Sequence, residues 1–309
     1  MYFAERTMRA MGSSAQVLIC ARSVSGAQAL ADLAQVRIEL LEQCWSRFRD
    51  SSELNRLNAH AGRGPLHVSQ DLGTLVGVML EAEEWTQGAF DPTVLGSMQR
   101  LGYDGDFADV VAREALSSVH ETFAPSRGMS GIQFDPVSHE ISLPIGVGLD
   151  PGAIGKGLAG DIVASEIHAA GAEGVLINLG GDISTRGDAG GTPWVVSIVD
   201  HRREDATTPG SVQLRGAQRA IATSSSLRRR WHGRHHVIDP LTGQPSESDL
   251  AQVTVIGPTG WQAEAAATFA LVRGRDEAQT WLAQHDLEAV LFPHDPNVEP
   301  IRVREALHV

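Results

Sequence analysis

The sequence predicts an α+β fold, and three observations carry that reading. Strand-like and helix-like segments intermix without the strict alternation of a doubly wound sheet. Two short runs, 132–135 and 140–143, flank Pro136-Val137-Ser138-His139 and read as a hairpin, the mark of antiparallel pairing. The 309 residues, 42% of them hydrophobic, suffice for a buried core in one large domain or two modest ones.

Residues 12–21 read as a strand with the apolar run Val17-Leu18-Ile19-Cys20. A helix is expected from Gly26 to Cys44, with Leu33, Val36, Leu40 and Cys44 along one face. A polar segment follows from Ser46 to Asn58. Ser69 is placed as an N-cap, and Leu72, Leu75, Val76, Met79 and Ala82 follow at helical spacing. A further helix is expected beyond Lys156, using Leu158, Ile162, Val163 and Ile167. Strands are expected over 175–179, 194–199 and 252–256, a helix over 261–273, and last strands over 289–292 and 301–304. The polar stretch 201–210, ending in Pro209-Gly210, is the expected variable loop. There is no internal repeat, and the chain reads as one domain over 1–309.

The formal net charge of −13 argues against a free polyanion such as DNA or RNA as the main partner. A single phosphorylated small molecule needs only a local site and is compatible with it. Two cysteines, Cys20 and Cys44, form neither a disulfide framework nor a four-thiolate zinc site, and both are expected as buried, inert thiols. The N-terminal residues carry an early acid, Glu5, and no apolar core of a signal peptide. No apolar run approaches the roughly 20 residues that span a membrane. The expectation is a cytoplasmic protein without membrane insertion.

Four constellations carry chemistry. Leu149-Asp150-Pro151-Gly152-Ala153-Ile154-Gly155-Lys156-Gly157 leads into a helix; small residues admit close backbone approach, and a helix start beside a lysine suits a phosphate. It departs from a Walker A loop, since Gly157 replaces the Ser/Thr that would hold magnesium. Taken alone, such a turn is more often a structural cap. Asn178-Leu179-Gly180-Gly181-Asp182 ends an apolar strand and also reads as a plain turn. Thr223-Ser224-Ser225-Ser226-Leu227-Arg228-Arg229-Arg230, with His235-His236-Val237-Ile238-Asp239-Pro240 close behind, combines hydroxyls and arginines suited to phosphate or carboxylate recognition. Adjacent histidines on a strand point to opposite faces, so at most one of them serves a given site. Glu264 and Thr268 lie four apart on a predicted helix, on one face, with alanines between them that leave room for an approaching group. Such an oxygen pair can hold a hard cation incompletely; a solvated glutamate on an ordinary helix is the alternative.

In order along the chain, these pieces resemble the FAD:protein FMN transferases, the ApbE family. Met11-Gly12-Ser13 is similar to the family's opening Met-Gly-Thr, and Ser46-x-Phe48…Ser52-Glu53-Leu54…Asn58 to its Ser-x-aromatic…Ser-Glu-Leu…Asn segment. Gly88-Ala89-Phe90-Asp91-Pro92-Thr93 resembles Gly-x-Phe-Asp-x-Thr, and Asp150…Gly152-Ala153-Ile154-Gly155-Lys156-Gly157 resembles Asp-x-Gly-Gly-Ile-Ala-Lys-Gly. Gly180-Gly181-Asp182, Ala222-Thr223-Ser224 and His236-Val237-Ile238-Asp239-Pro240-x-Thr242-Gly243 match three further motifs. The resemblance covers nearly the whole chain.

It implies a mixed, largely antiparallel (T-fold-like) architecture with the active site in a cleft between two lobes. It implies that Met11, Phe48, Ala89, Phe90, Asp91, Asp150, Lys156 and Ile238 contact FAD. By the same resemblance Mg²⁺ is held by the backbone carbonyl of Ala153, by Glu264 and by Thr268, and His236 lies near the reacting centre. The implied reaction moves FMN from FAD to a Ser or Thr hydroxyl of a partner protein and releases AMP. Hydrolysis of FAD to FMN and AMP, or FAD binding without catalysis, are the alternatives. Three departures stand out. Glu264 replaces the usual aspartate, Leu227 replaces an aromatic, and the export signal of many relatives is not seen, which places the expected target on the cytoplasmic side.

Overall fold

Alternation of buried and exposed side chains over the first twenty residues builds a hairpin. Strand β1 (Tyr2–Ala10) pairs antiparallel with β2 (Ser13–Ala21), and Ala15, Val17 and Ile19 of β2 turn inward at period two. Met11 and Gly12 close the turn with φ of 49° and 69°. Two successive positive φ values make the type I′ turn whose twist matches the flanking strands. The computed structural model describes residues 1–105, 107–112, 123–203 and 207–304. They form two compact units, one from Met1–Glu42, Ile154–Ser224 and Ser248–Val309, the other from Gln43–Ala153 and Ser225–Glu247.

The first unit is organised on an eight-stranded sheet. After β1 and β2 come β3 (Gly174–Leu179), β4 (Asp182–Gly187), β5 (Gln218–Ser225), β6 (Leu250–Gly257), β7 (Glu288–Pro293) and β8 (Ile301–Val303), side by side in chain order. The pairings β1–β2, β2–β3, β3–β4, β4–β5, β6–β7 and β7–β8 are antiparallel. The α+β expectation with largely antiparallel pairing is met. Every residue of β6 is buried, as in a strand covered on both faces. Helices α1 (Val24–Trp45), α2 (Gly155–Ala169), α3 (Gly260–Arg273) and α4 (Arg275–Gln284) accompany the sheet.

α2 and α3 pack at glycine distance. A Cβ added at Gly157 would lie 2.3 Å from the Gly260 carbonyl oxygen, so only hydrogen fits there. Asp161 of α2 caps α3 from outside, accepting from the N–H groups of Gly260 (2.8 Å) and Trp261 (3.1 Å) and from Ser184 Oγ (2.9 Å). Burial pushes its carboxyl pKa up against those donors.

Two expectations need correction here. Helix α1 exists, but Leu33, Val36 and Leu40 are about half exposed, at 50%, 56% and 49%. Its buried face is Ala27, Ala31, Ala34, Ile38, Leu41 and Trp45, a second stripe at the same spacing whose first half is alanine. The expected variable loop 201–210 is only partly a loop. Residues 204–206 lie outside the described residues, and Thr207–Leu214 is a strand paired antiparallel with Trp194–Asp200.

In the second unit Ser69 caps the helix Gln70–Trp85 through Leu72 N–H, and Leu72, Leu75, Val76, Met79 and Ala82 are buried as the spacing predicts. The expected hairpin is present, with Gln133–Asp135 antiparallel to Glu140–Ser142 and Leu66–His67 beyond it. Gly73 and Gly77 let the Phe134 ring lie against the helix, since added Cβ atoms would come within 3.4 and 3.2 Å of it. A second core gathers Met98, Leu101, Tyr103, Val110, Trp231 and Ile238. Trp231 Nε1–H donates to the Leu101 carbonyl (2.8 Å). Among the described residues no helix is long and apolar enough to cross a membrane.

Candidate active site

The first unit gathers a buried charged cluster where three sequence motifs meet. Asn178 Oδ1 accepts from Gly181 N–H (2.9 Å) and shapes the Gly180-Gly181 turn between β3 and β4, whose two φ values are 71° and 103°. A Cβ on Gly180 would clash with Ser13 at 2.7 Å. The turn delivers Asp182 to the head of β4, so the Gly-Gly-Asp motif is both a turn and a site element. Asp182 Oδ1 accepts from Thr223 N–H (3.1 Å), while Oδ2 pairs with Lys156 Nζ. Lys156 Nζ also donates to Glu264 Oε1 (2.5 Å), and Glu264 Oε2 accepts from Gly157 N–H (2.8 Å).

Lys156 stands in the first turn of α2, which holds no acid of its own and whose N-cap residue, Ile154, makes no side-chain cap; the Glu264 carboxylate reaches Gly157 N–H there from α3. A helix start with a lysine beside it favours an anion. Burial works against the Lys156 ammonium, but Asp182 and Glu264 outweigh it and hold its pKa above the ordinary lysine value. Burial pushes the Glu264 carboxyl pKa upward; Lys156 opposes the rise and Asp182 adds to it. Two buried carboxylates thus share one ammonium.

Thr268 lies one helical turn beyond Glu264 and is half-buried. The alanines around Glu264 do not leave open space, contrary to expectation. Ala263, Ala265, Ala266 and Ala267 are fully buried, and α2 is what packs closely on α3. Among the described residues no three His, Cys, Asp or Glu side chains converge on a metal position. Any cation held by Glu264 therefore also needs carbonyl, hydroxyl and ligand oxygens.

The second unit holds the other predicted residues. Phe48 is 41% exposed, and Arg47 lies 4.1 Å over its ring and 4.4 Å over that of Tyr103. Arg47 Nε pairs with Asp150 Oδ2 (3.1 Å), and Asp150 Oδ1 accepts from Gly152 N–H (2.8 Å), fixing the Asp-Pro-Gly turn ahead of Ala153. Asn58 grips Leu149 at both its N–H (2.8 Å) and its carbonyl (3.0 Å), and Asp150 N–H donates to Pro92 O (2.8 Å). The Asp150 and Asp91 loops are therefore neighbours. Asp91 is buried and engaged on both oxygens, Oδ1 accepting from Thr93 N–H (2.8 Å) and Thr93 Oγ1 (2.7 Å), Oδ2 from Ser126 Oγ. Ala89 and Phe90 are buried too, so exposed apolar surface comes from Phe48.

His235 settles which of the paired histidines is structural. Its Nδ1 accepts from Val237 N–H (3.3 Å), which leaves Nε2–H to donate to Ser246 O (3.1 Å). His236, half-buried, follows in a bend just beyond the strand Arg234–His235. Ile238 is buried, and Ile238–Asp239 pairs with Gln244–Pro245 around a turn closed by Gly243, where an added Cβ would meet Ala124 O at 2.1 Å. The structure thus brings together Lys156 and Glu264 in one unit, and Phe48, Asp91 and Asp150 in the other. Met11 sits in the β1–β2 turn with its N–H on Glu42 Oε2 (3.0 Å). One residue escaped the sequence reading and another was read without its role. Arg47 gave no signal beyond its place beside Phe48, and Asp182 stood in the Gly-Gly-Asp motif but not as a partner of Lys156.

A model of the ApbE family matches residues 11–291. The FAD:protein FMN transferase of Klebsiella pneumoniae strain 342 is 28% identical over 295 residues, covering 92% of this chain and 82% of its own. That of Escherichia coli strain K12 is 28% identical over 276 residues, 85% of this chain and 76% of its own. The crystal structure of the ApbE protein from Thermotoga maritima superimposes with a TM-score of 0.84 at 22% identity, over 98% of this chain and 97% of that one. The apo form of the Pseudomonas stutzeri flavinyl transferase ApbE gives 0.80 at 22% identity, over 98% and 95%.

Proposed function

Because this chain belongs to the ApbE family, we propose that it is an FAD:protein FMN transferase, which splits FAD and places FMN on a Ser or Thr hydroxyl of a second protein with release of AMP. The observation that carries the reading is the charged cluster at the start of α2, where the Lys156 ammonium stands beside a helix N-terminus and suits a diphosphate. Phe48, exposed beside Arg47, offers a flat apolar face to the flavin ring. Met11, Ala89, Phe90, Asp91, Asp150 and Ile238 complete the assignment to FAD. Asp91 and Asp150 act chiefly by fixing their loops, since both carboxylates are spent on internal partners.

Glu264 and Thr268, with the carbonyl of Ala153, are the donors that would hold Mg²⁺, which would there offset negative charge on the diphosphate. Lys156 contributes to the same end from the protein itself, as a fixed positive charge on phosphate oxygens. His236 is assigned to the acceptor hydroxyl, where a neutral imidazole nitrogen can take its proton. The test is incubation with FAD and Mg²⁺, with and without an acceptor peptide containing Ser or Thr, reading AMP release and acceptor mass together. A mass gain of one FMN per peptide, paired with AMP, is expected. AMP release with free FMN and an unmodified peptide would sink the transferase reading.

A further inference from the structure

In the charged cluster every carboxylate oxygen already has a partner. Glu264 gives one oxygen to Lys156 Nζ and the other to Gly157 N–H; Asp182 gives one to Nζ and the other to Thr223 N–H. The point where the two carboxylates converge is therefore filled by an ammonium. A divalent cation and that ammonium compete for Glu264, since both are positive, both need the same oxygens, and all three side chains are largely buried.

We infer that Lys156 is a displaceable counter-ion: in the free protein its ammonium holds Glu264, and the diphosphate of FAD, by drawing Lys156 to itself, releases that carboxylate to a divalent cation, so that FAD and cation bind cooperatively. The inference rests on the FAD reading above. Charge balance supports it. The diphosphate brings two negative charges and the cation two positive ones, so the state with both restores the balance of the free cluster, while either ligand alone upsets it in a poorly solvated place. The lysine stem suits the role, being flexible, with a compact charge and three donors that can pass from carboxylate to phosphate. The length of Glu264 belongs to the same device, because its carboxylate reaches Nζ and Gly157 N–H together.

The experiment uses Mn²⁺ as the probe, its free concentration read by electron paramagnetic resonance, for the parent, Lys156→Met and Glu264→Asp. Each is titrated alone, with saturating FAD, and with riboflavin, which lacks the diphosphate. FAD binding is followed separately by flavin fluorescence. In the parent, Mn²⁺ should bind at least about tenfold more tightly with FAD than without, and riboflavin should give no gain. Lys156→Met should bind Mn²⁺ without FAD and reduce the FAD gain below about threefold, with Glu264→Asp shifting the same way. An equal Mn²⁺ affinity with and without FAD in a parent whose fluorescence shows FAD bound overturns the inference and leaves the FAD reading standing. So does a Lys156→Met protein with the parent's full FAD gain, because phosphate ligation alone would then explain the coupling. If Lys156→Met fails to fold by circular dichroism, Glu264→Asp decides by the same criterion. Absence of any FAD binding by fluorescence overturns both readings.

Discussion

Single side chains here are held by short, multiply bonded contacts, and their titration follows from them. Burial raises the pKa of Glu53, but Ser69 hydroxyl and N–H, the Cys44 thiol and Arg56 outweigh it, and the pKa is lowered. A carboxyl with a depressed folded pKa contributes stability that is present above its unfolded pKa, roughly 4.3, and is lost as pH falls through the folded value. Glu53→Gln should therefore cost about 1.5 kcal/mol at pH 7, with the deficit shrinking toward acid; urea midpoints at pH 7 and pH 3 measure it. The same cluster pushes the Cys44 thiol pKa up to about 12, chiefly by burial. Cys44 should react far more slowly with a thiol reagent at pH 8 in the folded protein than in urea, which timed labelling reads out. Lys156→Ala should weaken FAD by about tenfold or more and riboflavin far less, because a lysine at a helix start engages phosphate and not the ring. Titration of both ligands by fluorescence decides; equal losses would place Lys156 in the fold or against the flavin.

At the scale of elements, small residues set how closely helices approach. An added Cβ at Gly157 would lie within 2.3 Å of Gly260 O, so Gly157→Ala must push α2 from α3. The expected cost is about 1–3 kcal/mol in chemical denaturation. FAD turnover should fall with it, because Gly157 N–H leaves Glu264. Helix existence was legible where a cap preceded a long run of large apolar residues, as with Ser69 ahead of Leu72 and Leu75. The short helix Glu53–Ala59, capped by Ser52 and burying Leu54 and Leu57, was read only as a polar segment. It misled at α1, where two stripes share one spacing and periodicity weights leucine over alanine, yet the alanine face is the one that packs. β1 and β5 were missed because an edge strand such as β1 keeps most of its side chains polar or exposed, and β5 carries arginine and hydroxyls. β4 was hidden behind a turn motif. Of the site, Lys156, Glu264 and Asp150 were legible as parts of ordered motifs. Asp182 was legible in the Gly-Gly-Asp motif but not as a partner of Lys156, and Arg47 was not legible as the partner of Asp150, since each matters through a residue distant in sequence.

For the whole molecule, the chain passes back and forth between two units, and each unit is closed by segments far apart in sequence. Trp231 makes the point within the second. It comes from the short segment Ser225–Glu247, yet packs on Tyr103 (5.2 Å between ring centroids) and donates to Leu101. Trp231→Ala should lower stability by about 3–5 kcal/mol, measured by urea unfolding followed at a probe in that unit. The first unit carries the same interleaving into its sheet. β2 pairs with β1 on one side and β3 on the other, but everything from Arg22 to Glu173 is translated between β2 and β3. At about 5–20 residues per second the hairpin waits on the order of ten seconds on the ribosome before its second neighbour emerges. During that interval the apolar run Val17-Leu18-Ile19-Cys20 presents an open backbone edge. The nascent chain is thus a client for whatever shields bare strands at the exit tunnel, a dependence written into the order of its segments.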